Sequence, residues 1–282
     1  MNELKGLGTA LITPFKENFE VDYEALDRVL DTQIAGKVDY IVVLGTTGEA
    51  ATLTEQERKE VRTFIRKYVN GRLPLVLGVG GNCTAAVCES LRTMDLTGFE
   101  SILSVCPYYN KPNQEGLFQH FCAVAEASPV PVILYNVPGR TGVNLLPETV
   151  MRIWEAHPDK ILGIKEASGN LEQIKHLIDL AKGKLLVISG DDGIACEVMQ
   201  AGGAGLISVA SNAFPQDFYD IVHKKDQAKQ ARYAEMIRLL FAEGNPVGIK
   251  AVLAQKGIIQ NYLRLPLVPA SLELQAKIAD IL

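Results

Sequence analysis

The sequence predicts a (β/α)8 TIM barrel, an α/β fold, with a C-terminal helical extension. Three observations lead there. Eight short apolar runs recur along the 282 residues, segments of helical period separate them, and no Gly-x-Gly-x-x-Gly loop follows the first run. Runs that are apolar almost throughout fit strands buried on both faces, as in parallel sheets. Regular alternation of strand and helix makes the sheet parallel. An open doubly wound sheet shares these local signals. The count of eight favours closure, and barrels of about 250 residues form one domain.

The runs span residues 8–12, 40–44, 75–79, 101–105, 132–135, 161–165, 185–189 and 205–209. Between the first two, Asp22 reads as an N-cap before Leu26, Val29, Leu30 and Ile34, and Gly36 ends that helix. After the second run, Thr54-Glu55-Gln56-Glu57 reads as a capping box before Val61, Ile65 and Tyr68. After the third, Gly78-Val79-Gly80-Gly81-Asn82 has Cys83 where a last glycine would belong, so it reads as a turn and not a dinucleotide loop. Pro147 suits a first helical turn before Val150 and Ile153. Beyond the eighth run, helical spacing continues through 217–223, 228–241 and 246–256. The expected organisation is therefore a catalytic barrel over residues 1–213 and a helical region, 214–282, packed on it.

Composition narrows the class further. A 48% hydrophobic chain buries a sizeable core, and a net charge of −5 gives no basic face for nucleic acid. The five cysteines, Cys83, Cys88, Cys106, Cys122 and Cys196, are odd in number and form no Cys-x-x-Cys pair, which points to a reducing compartment, the cytoplasm. The start, Met1 to Gly6, runs straight into a strand and lacks the basic and apolar regions of a leader. No apolar stretch approaches the roughly 18 residues of a membrane span.

Barrel enzymes carry their chemistry at the C-terminal strand ends and the loops beyond. That rule selects Gly45-Thr46-Thr47-Gly48-Glu49, Pro107-Tyr108-Tyr109-Asn110, the run from Tyr135 to Gly142, Lys165-Glu166 and Gly190-Asp191-Asp192-Gly193. Lys165 is the most informative, because it ends an apolar strand. Burial disfavours an ammonium, and a neutral amine attacks a ketone to form an imine. Two other readings stay open: a solvated surface charge, or a plain ion pair with Glu166. Tyr135 is either a proton shuttle or a core tyrosine with a satisfied hydroxyl. Thr46 and Thr47 either bind a carboxylate or make an ordinary turn. Arg140 offers a planar fork to a carboxylate, or a surface ion pair. Metal chemistry is not expected, nor is any cofactor. His120, His157, His176 and His223 are scattered, and Asp191-Asp192 suits a helix cap better than a cation site. No Gly-x-Ser-x-Gly elbow is present.

Together, Gly45-Thr46-Thr47-Gly48-Glu49, Tyr135-Asn136-Val137-Pro138 and Gly163-Ile164-Lys165-Glu166 resemble the dihydrodipicolinate synthase / N-acetylneuraminate lyase family. The similarity runs from Gly8 to about Pro269. It implies that Lys165 forms an imine with pyruvate and that Thr46, Tyr109 and Tyr135 relay protons, Tyr109 in a neighbouring subunit's site. It further implies that Thr47 binds the pyruvate carboxylate, that Arg140 binds the carboxylate of an aldehyde, and that Gly190 and Ile207 line the pocket through their backbones. A homotetramer, a dimer of dimers, is the implied assembly. Within the family, Pro107-Tyr108-Tyr109-Asn110-Lys111-Pro112 and Arg140-Thr141-Gly142 resemble the members that condense pyruvate with aspartate semialdehyde, for diaminopimelate and lysine synthesis. Sialic acid lyases and keto-deoxy sugar acid aldolases are the alternatives, and a non-catalytic keto-acid-binding barrel is another. Lysine-regulated members bind lysine at a dimer interface. Tyr108 and Asn82 fit that pattern, but Ala86 stands where a glutamate is expected, so lysine inhibition is expected to be weak or absent.

Overall fold

The structure, a computed structural model, describes residues 4–282. The stretch read as lacking a leader begins with residues 1–3, outside the described residues. The order of elements is β1 (Gly6–Ala10), α1 (Tyr23–Ala35), β2 (Tyr40–Val43), α2 (Glu55–Val69), β3 (Leu75–Gly78), α3 (Thr84–Thr93), β4 (Ser101–Val105), α4 (Gln114–Ala127), β5 (Val132–Asn136), α5 (Pro138–Thr141), α6 (Pro147–Ala156), β6 (Ile161–Glu166), α7 (Leu171–Ala181), β7 (Leu186–Ser189), α8 (Ala195–Gln200) and β8 (Gly205–Ser208). Five helices follow: α9 (Pro215–Lys224), α10 (Gln227–Arg232), α11 (Ala234–Phe241), α12 (Val247–Gln255) and α13 (Leu272–Ala279). The strands pair in sequence order into a closed barrel, so the TIM-barrel expectation holds. Among the described residues, no helix is long and apolar enough to cross a membrane.

The local signals act as expected from their chemistry. Asp22 accepts the Ala25 N–H at 3.0 Å and caps α1. Thr54 and Glu57 exchange hydrogen bonds at the start of α2, where Glu57 Oε2 takes the Thr54 N–H at 2.8 Å and Thr54 Oγ1 takes the Glu57 N–H at 3.2 Å. Pro147 opens α6, where its missing N–H costs nothing. One expected helix, 228–241, is instead broken at Tyr233 into α10 and α11. The Tyr233 ring packs against Phe214 and Phe218, with centroids 5.1 and 5.3 Å apart, and its hydroxyl donates to Asp217 at 2.5 Å. That tether holds the chain in a tight turn which helical spacing alone does not reveal.

The described residues pack as two compact units, one mainly 74–207 and the other 6–73 with 208–282. In the second unit Asn212 is a buried knot. The first strand leaves the ladder two residues earlier than its apolar run suggests, because the Ile12 N–H goes to Asn212 Oδ1 at 3.1 Å. Asn212 Nδ2 donates to the carbonyls of Ala10 at 2.8 Å and Val209 at 2.9 Å. Gln33 on α1 donates to the Asn212 carbonyl at 3.1 Å and accepts from Thr9 at 2.8 Å. Every polar atom of the Asn212 amide is thus committed. Asn212→Ala is expected to cost about 3 kcal/mol and to lower the melting temperature by about 5 °C or more, read by a thermal melt. An unshifted melt would show that the knot is dispensable.

In the first unit, α3 and α4 pack with Thr84 Oγ1 and His120 Nδ1 2.9 Å apart. Burial holds the His120 imidazole down at about 4, against an ordinary 6.5. Below pH 6.5 the unfolded chain takes up a proton there that the folded chain refuses. Stability contributed by the neutral ring is therefore complete above pH 6.5 and falls away toward pH 4, by up to about 3 kcal/mol. His120→Gln is expected to flatten the fall of the melting temperature between pH 6.5 and 4.5. A slope equal to that of the parent would remove His120 from the acid sensitivity.

Candidate active site

Lys165 is the penultimate residue of β6 and is only 6% exposed. The β5–β6 ladder pairs Tyr135 with Lys165 and Asn136 with Glu166. Paired residues on neighbouring strands share a face, and successive residues alternate. Tyr135 and Lys165 therefore share one face, where the Lys165 ammonium nitrogen lies 4.5 Å from the centre of the Tyr135 ring. Gly190, just past β7, completes this corner. A Cβ there would lie 2.6 Å from Ala167 Cβ and 2.9 Å from Lys165 Cε, so only glycine lets the lysine chain pass.

Glu166 takes the opposite face and is fully buried. Its carboxylate accepts from Asn136 Nδ2 at 2.9 Å, Gln173 Nε2 at 3.1 Å and the Ser168 N–H at 2.7 Å. Asn144 ties the cradle together, accepting from Asn136 at 2.8 Å and donating to Gln173 at 2.7 Å. Glu166 is thus satisfied by neutral donors from β5, α7 and the loops. Burial, with the charge of Glu166 added to it, pushes the Cys106 thiol well above its ordinary range, so this thiol stays protonated.

Other residues of the same unit are set out as follows. Ile207 is buried within β8, one residue before its end. Arg140 is exposed on α5, a four-residue helical turn in the segment that follows β5. Thr141 fastens that turn by donating to the carbonyls of Val137 at 3.2 Å and Val143 at 2.9 Å, and Gly142, at φ 74°, closes it. Tyr109 stands in the loop after β4 at φ 74° and is 88% exposed, an aromatic ring its own chain leaves uncovered. That loop is fastened by Asn82, which donates to the Tyr108 carbonyl at 3.2 Å and accepts from Asn110 at 2.8 Å. Ala86 is exposed on α3. Asp191 Oδ1 accepts the Gly193 N–H at 2.8 Å, the capping role considered above.

The second unit holds the two threonines. Thr46, Thr47 and Gly48 form a 3-10 turn after β2, with Thr46 exposed and Thr47 buried. Thr13 Oγ1 donates to the Gly48 carbonyl at 2.8 Å, and Asn245 Nδ2 donates to Thr47 Oγ1 at 3.0 Å. Glu49, at φ 51°, ends the turn and forms a buried ion pair with Lys250 of α12. Neither Asn245 nor the Glu49–Lys250 pair was singled out from sequence. A signal existed: Val247-Gly248-Ile249-Lys250-Ala251-Val252-Leu253 is apolar on all sides apart from the lysine, and a helix of that kind is buried all round. A lysine within it needs a buried partner.

Two adjacent groups, a buried lysine amine and a phenol, therefore stand together at parallel strand ends, and a hydroxyl-rich turn ends β2. Comparison with known proteins places this arrangement. Residues 3–282 match the dihydrodipicolinate synthetase family. A 4-hydroxy-tetrahydrodipicolinate synthase of Parabacteroides distasonis is 49% identical over 99% of this chain and 96% of its own length. One from Flavobacterium psychrophilum is 48% identical over 99% of this chain and 97% of its own. Among solved structures, dihydrodipicolinate synthase from Thermotoga maritima superposes with a TM-score of 0.95 at 38% identity, covering 99% of this chain and 97% of that one. The enzyme from Acinetobacter baumannii, chloride-inhibited and complexed with pyruvate, gives 0.94 at 38% identity, covering 99% and 97%. With full-length similarity at this level and the lysine, the phenol and the threonine turn all at their strand ends, the chain belongs to the dihydrodipicolinate synthetase family.

Proposed function

We propose that this chain is a lyase with 4-hydroxy-tetrahydrodipicolinate synthase activity, condensing pyruvate with L-aspartate 4-semialdehyde through an imine on Lys165. The observation that carries the mechanism is the buried Lys165 amine beside the Tyr135 ring at 4.5 Å. A lysine whose carboxylate neighbour is already occupied by Asn136, Gln173 and Ser168 keeps its amine for chemistry.

In this reading the neutral amine adds to C2 of pyruvate, and the carbinolamine loses water to give a protonated imine. The cationic nitrogen draws electrons from C3, which gives up a proton and becomes an enamine carbon. That carbon attacks the aldehyde, whose oxygen takes a proton. The substrate's own amine then adds to C2 and expels the Lys165 amine, closing the ring and freeing the enzyme. Thr46, Tyr109 and Tyr135 hand protons on and off during these steps. Thr47 and the backbone of its turn bind the pyruvate carboxylate, while Gly190 and Ile207 offer backbone groups to the substrate. Arg140 binds the carboxylate that aspartate semialdehyde brings and a neutral amino sugar lacks. The exposure of Tyr109 supports a role in a neighbouring subunit's site, hence an assembly of at least two chains, and a homotetramer is the proposed form. Five free thiols favour a reducing compartment, the cytoplasm.

The test is turnover of pyruvate with aspartate semialdehyde, coupled to an NADPH-dependent reductase that consumes the product, beside pyruvate release from N-acetylneuraminate. Turnover is expected in the first assay alone. Borohydride with pyruvate is expected to add one reduced pyruvyl group at Lys165 by mass. Lys165→Ala is expected to abolish that adduct and cut turnover at least about 1,000-fold with the melt preserved. Full activity in the variant would end the imine mechanism. Arg140→Leu is expected to raise the KM for the aldehyde about 10- to 100-fold and leave that for pyruvate alone. An unchanged aldehyde KM would reopen the choice of aldehyde.

A further inference from the structure

Asn245 and Lys250 stand on one short stretch, the entry and first turns of α12, and both reach the turn that carries Thr46 and Thr47. Lys250 is fully buried, with Glu49, the Tyr262 carbonyl at 3.1 Å and the Phe15 ring at 4.2 Å as neighbours. Glu49 Oε2 also accepts the Arg264 N–H at 3.3 Å. Asn245 is nearly buried as well, and its Oδ1 has no hydrogen-bond partner. An amide buried with one unpartnered oxygen, and an ion pair stripped of water, are poor investments in stability alone. Their common target is the hydroxyl turn.

We propose that Asn245 is a positioning residue that sets the polarity of the Thr47 hydroxyl for an incoming carboxylate, and that the Lys250–Glu49 pair fixes the turn on which that hydroxyl sits. A hydroxyl has one hydrogen to give. Because Asn245 Nδ2 donates to Thr47 Oγ1 at 3.0 Å, that oxygen accepts on the Asn245 side and its hydrogen turns away to donate elsewhere. A donor is what an anionic oxygen requires. Glu49, in the left-handed region at φ 51°, is the residue on which the turn closes, and a buried counter-charge holds its side chain in one place. This rests on the reading of Thr47 as the pyruvate-carboxylate ligand and extends it to the amide that holds the Thr47 hydroxyl.

The experiment measures KM for pyruvate and for aspartate semialdehyde separately, with a thermal melt on each variant. Asn245→Ala removes the donor and is expected to raise the pyruvate KM about 5-fold. Asn245→Asp is isosteric, but it accepts the Thr47 hydrogen and adds a like charge beside the carboxylate. It is expected to raise the pyruvate KM on the order of 100-fold, with the aldehyde KM unmoved. A merely structural asparagine predicts the opposite order, since the isostere would do less damage. The double variant Lys250→Met with Glu49→Gln removes both charges at matched volume, so no lone buried charge remains. It is expected to stay folded and to raise the pyruvate KM. An aspartate variant no worse than the alanine one, or a rise equal for both substrates, overturns the proposal. If Asn245→Asp fails to fold, the alanine variant decides: an unchanged pyruvate KM overturns it. Lys165→Ala in the same series separates the two readings. Persistent turnover there sinks the imine mechanism, whereas lost turnover with unaffected Asn245 variants sinks only this inference.

Discussion

The register between β5 and β6 is the constraint on which the proposed imine chemistry depends. It pairs Tyr135 with Lys165 and, one step on, Asn136 with Glu166. Strand alternation then sends the phenol and amine to one face and the amide and carboxylate to the other. Two oppositely charged neighbours in sequence are thereby kept apart. A one-residue slip would exchange the faces and put Glu166 beside Tyr135 in place of the amine. The polar cradle of Asn136, Asn144, Gln173 and Ser168 secures this register, because a buried carboxylate with its hydrogen bonds filled has no cheaper place to go.

The same logic governs the hydroxyl-rich turn after β2, whose short side chains keep one geometry only if their backbone is held still. Thr13, Asn245, Glu49 and Lys250 hold it from the strand-end loop after β1, from α12 and the residues just before it, and from within the turn itself. Burial draws the Lys250 ammonium down to about 8, while Glu49 pulls it back toward the charged form. The C-terminal helices are therefore more than cladding. In their own unit they carry the groups that fasten the β2 turn, and Arg264 extends the fastening by binding Glu57 of the α2 capping box at 2.9 Å. That contact and the capping-box bonds hold the Glu57 carboxyl down at about 2, so the brace stays charged across ordinary pH.

Much of this was legible in the residues. Apolar runs bounded by glycine, proline or polar residues located all eight strands to within two residues, since a strand covered on both faces has no polar side to disguise it. Asp22, the Thr54 box and Pro147 marked helix starts, because capping is local chemistry set by neighbours in the chain. Lys165 stood out as a charge ending an apolar strand. What was not legible involved partners far apart in sequence. The early exit from β1 is dictated by Asn212, 200 residues away. The break at Tyr233 is dictated by packing on Phe214 and Phe218.

The sequence by itself determined the alternation of elements, the strand that ends in Lys165, and the hydroxyl, phenol and guanidinium groups at the ends of other strands. These follow from periodicity and local capping, which depend on residues a few positions apart. Only the tertiary structure decided that Glu166 turns away from Lys165 into a neutral cradle, that Gly190 is there to let the lysine chain pass, and that Asn245 donates to Thr47. Each of these is a contact between segments brought together by the sheet and its helices, and hydrogen bonds between such segments obey no spacing rule in the chain.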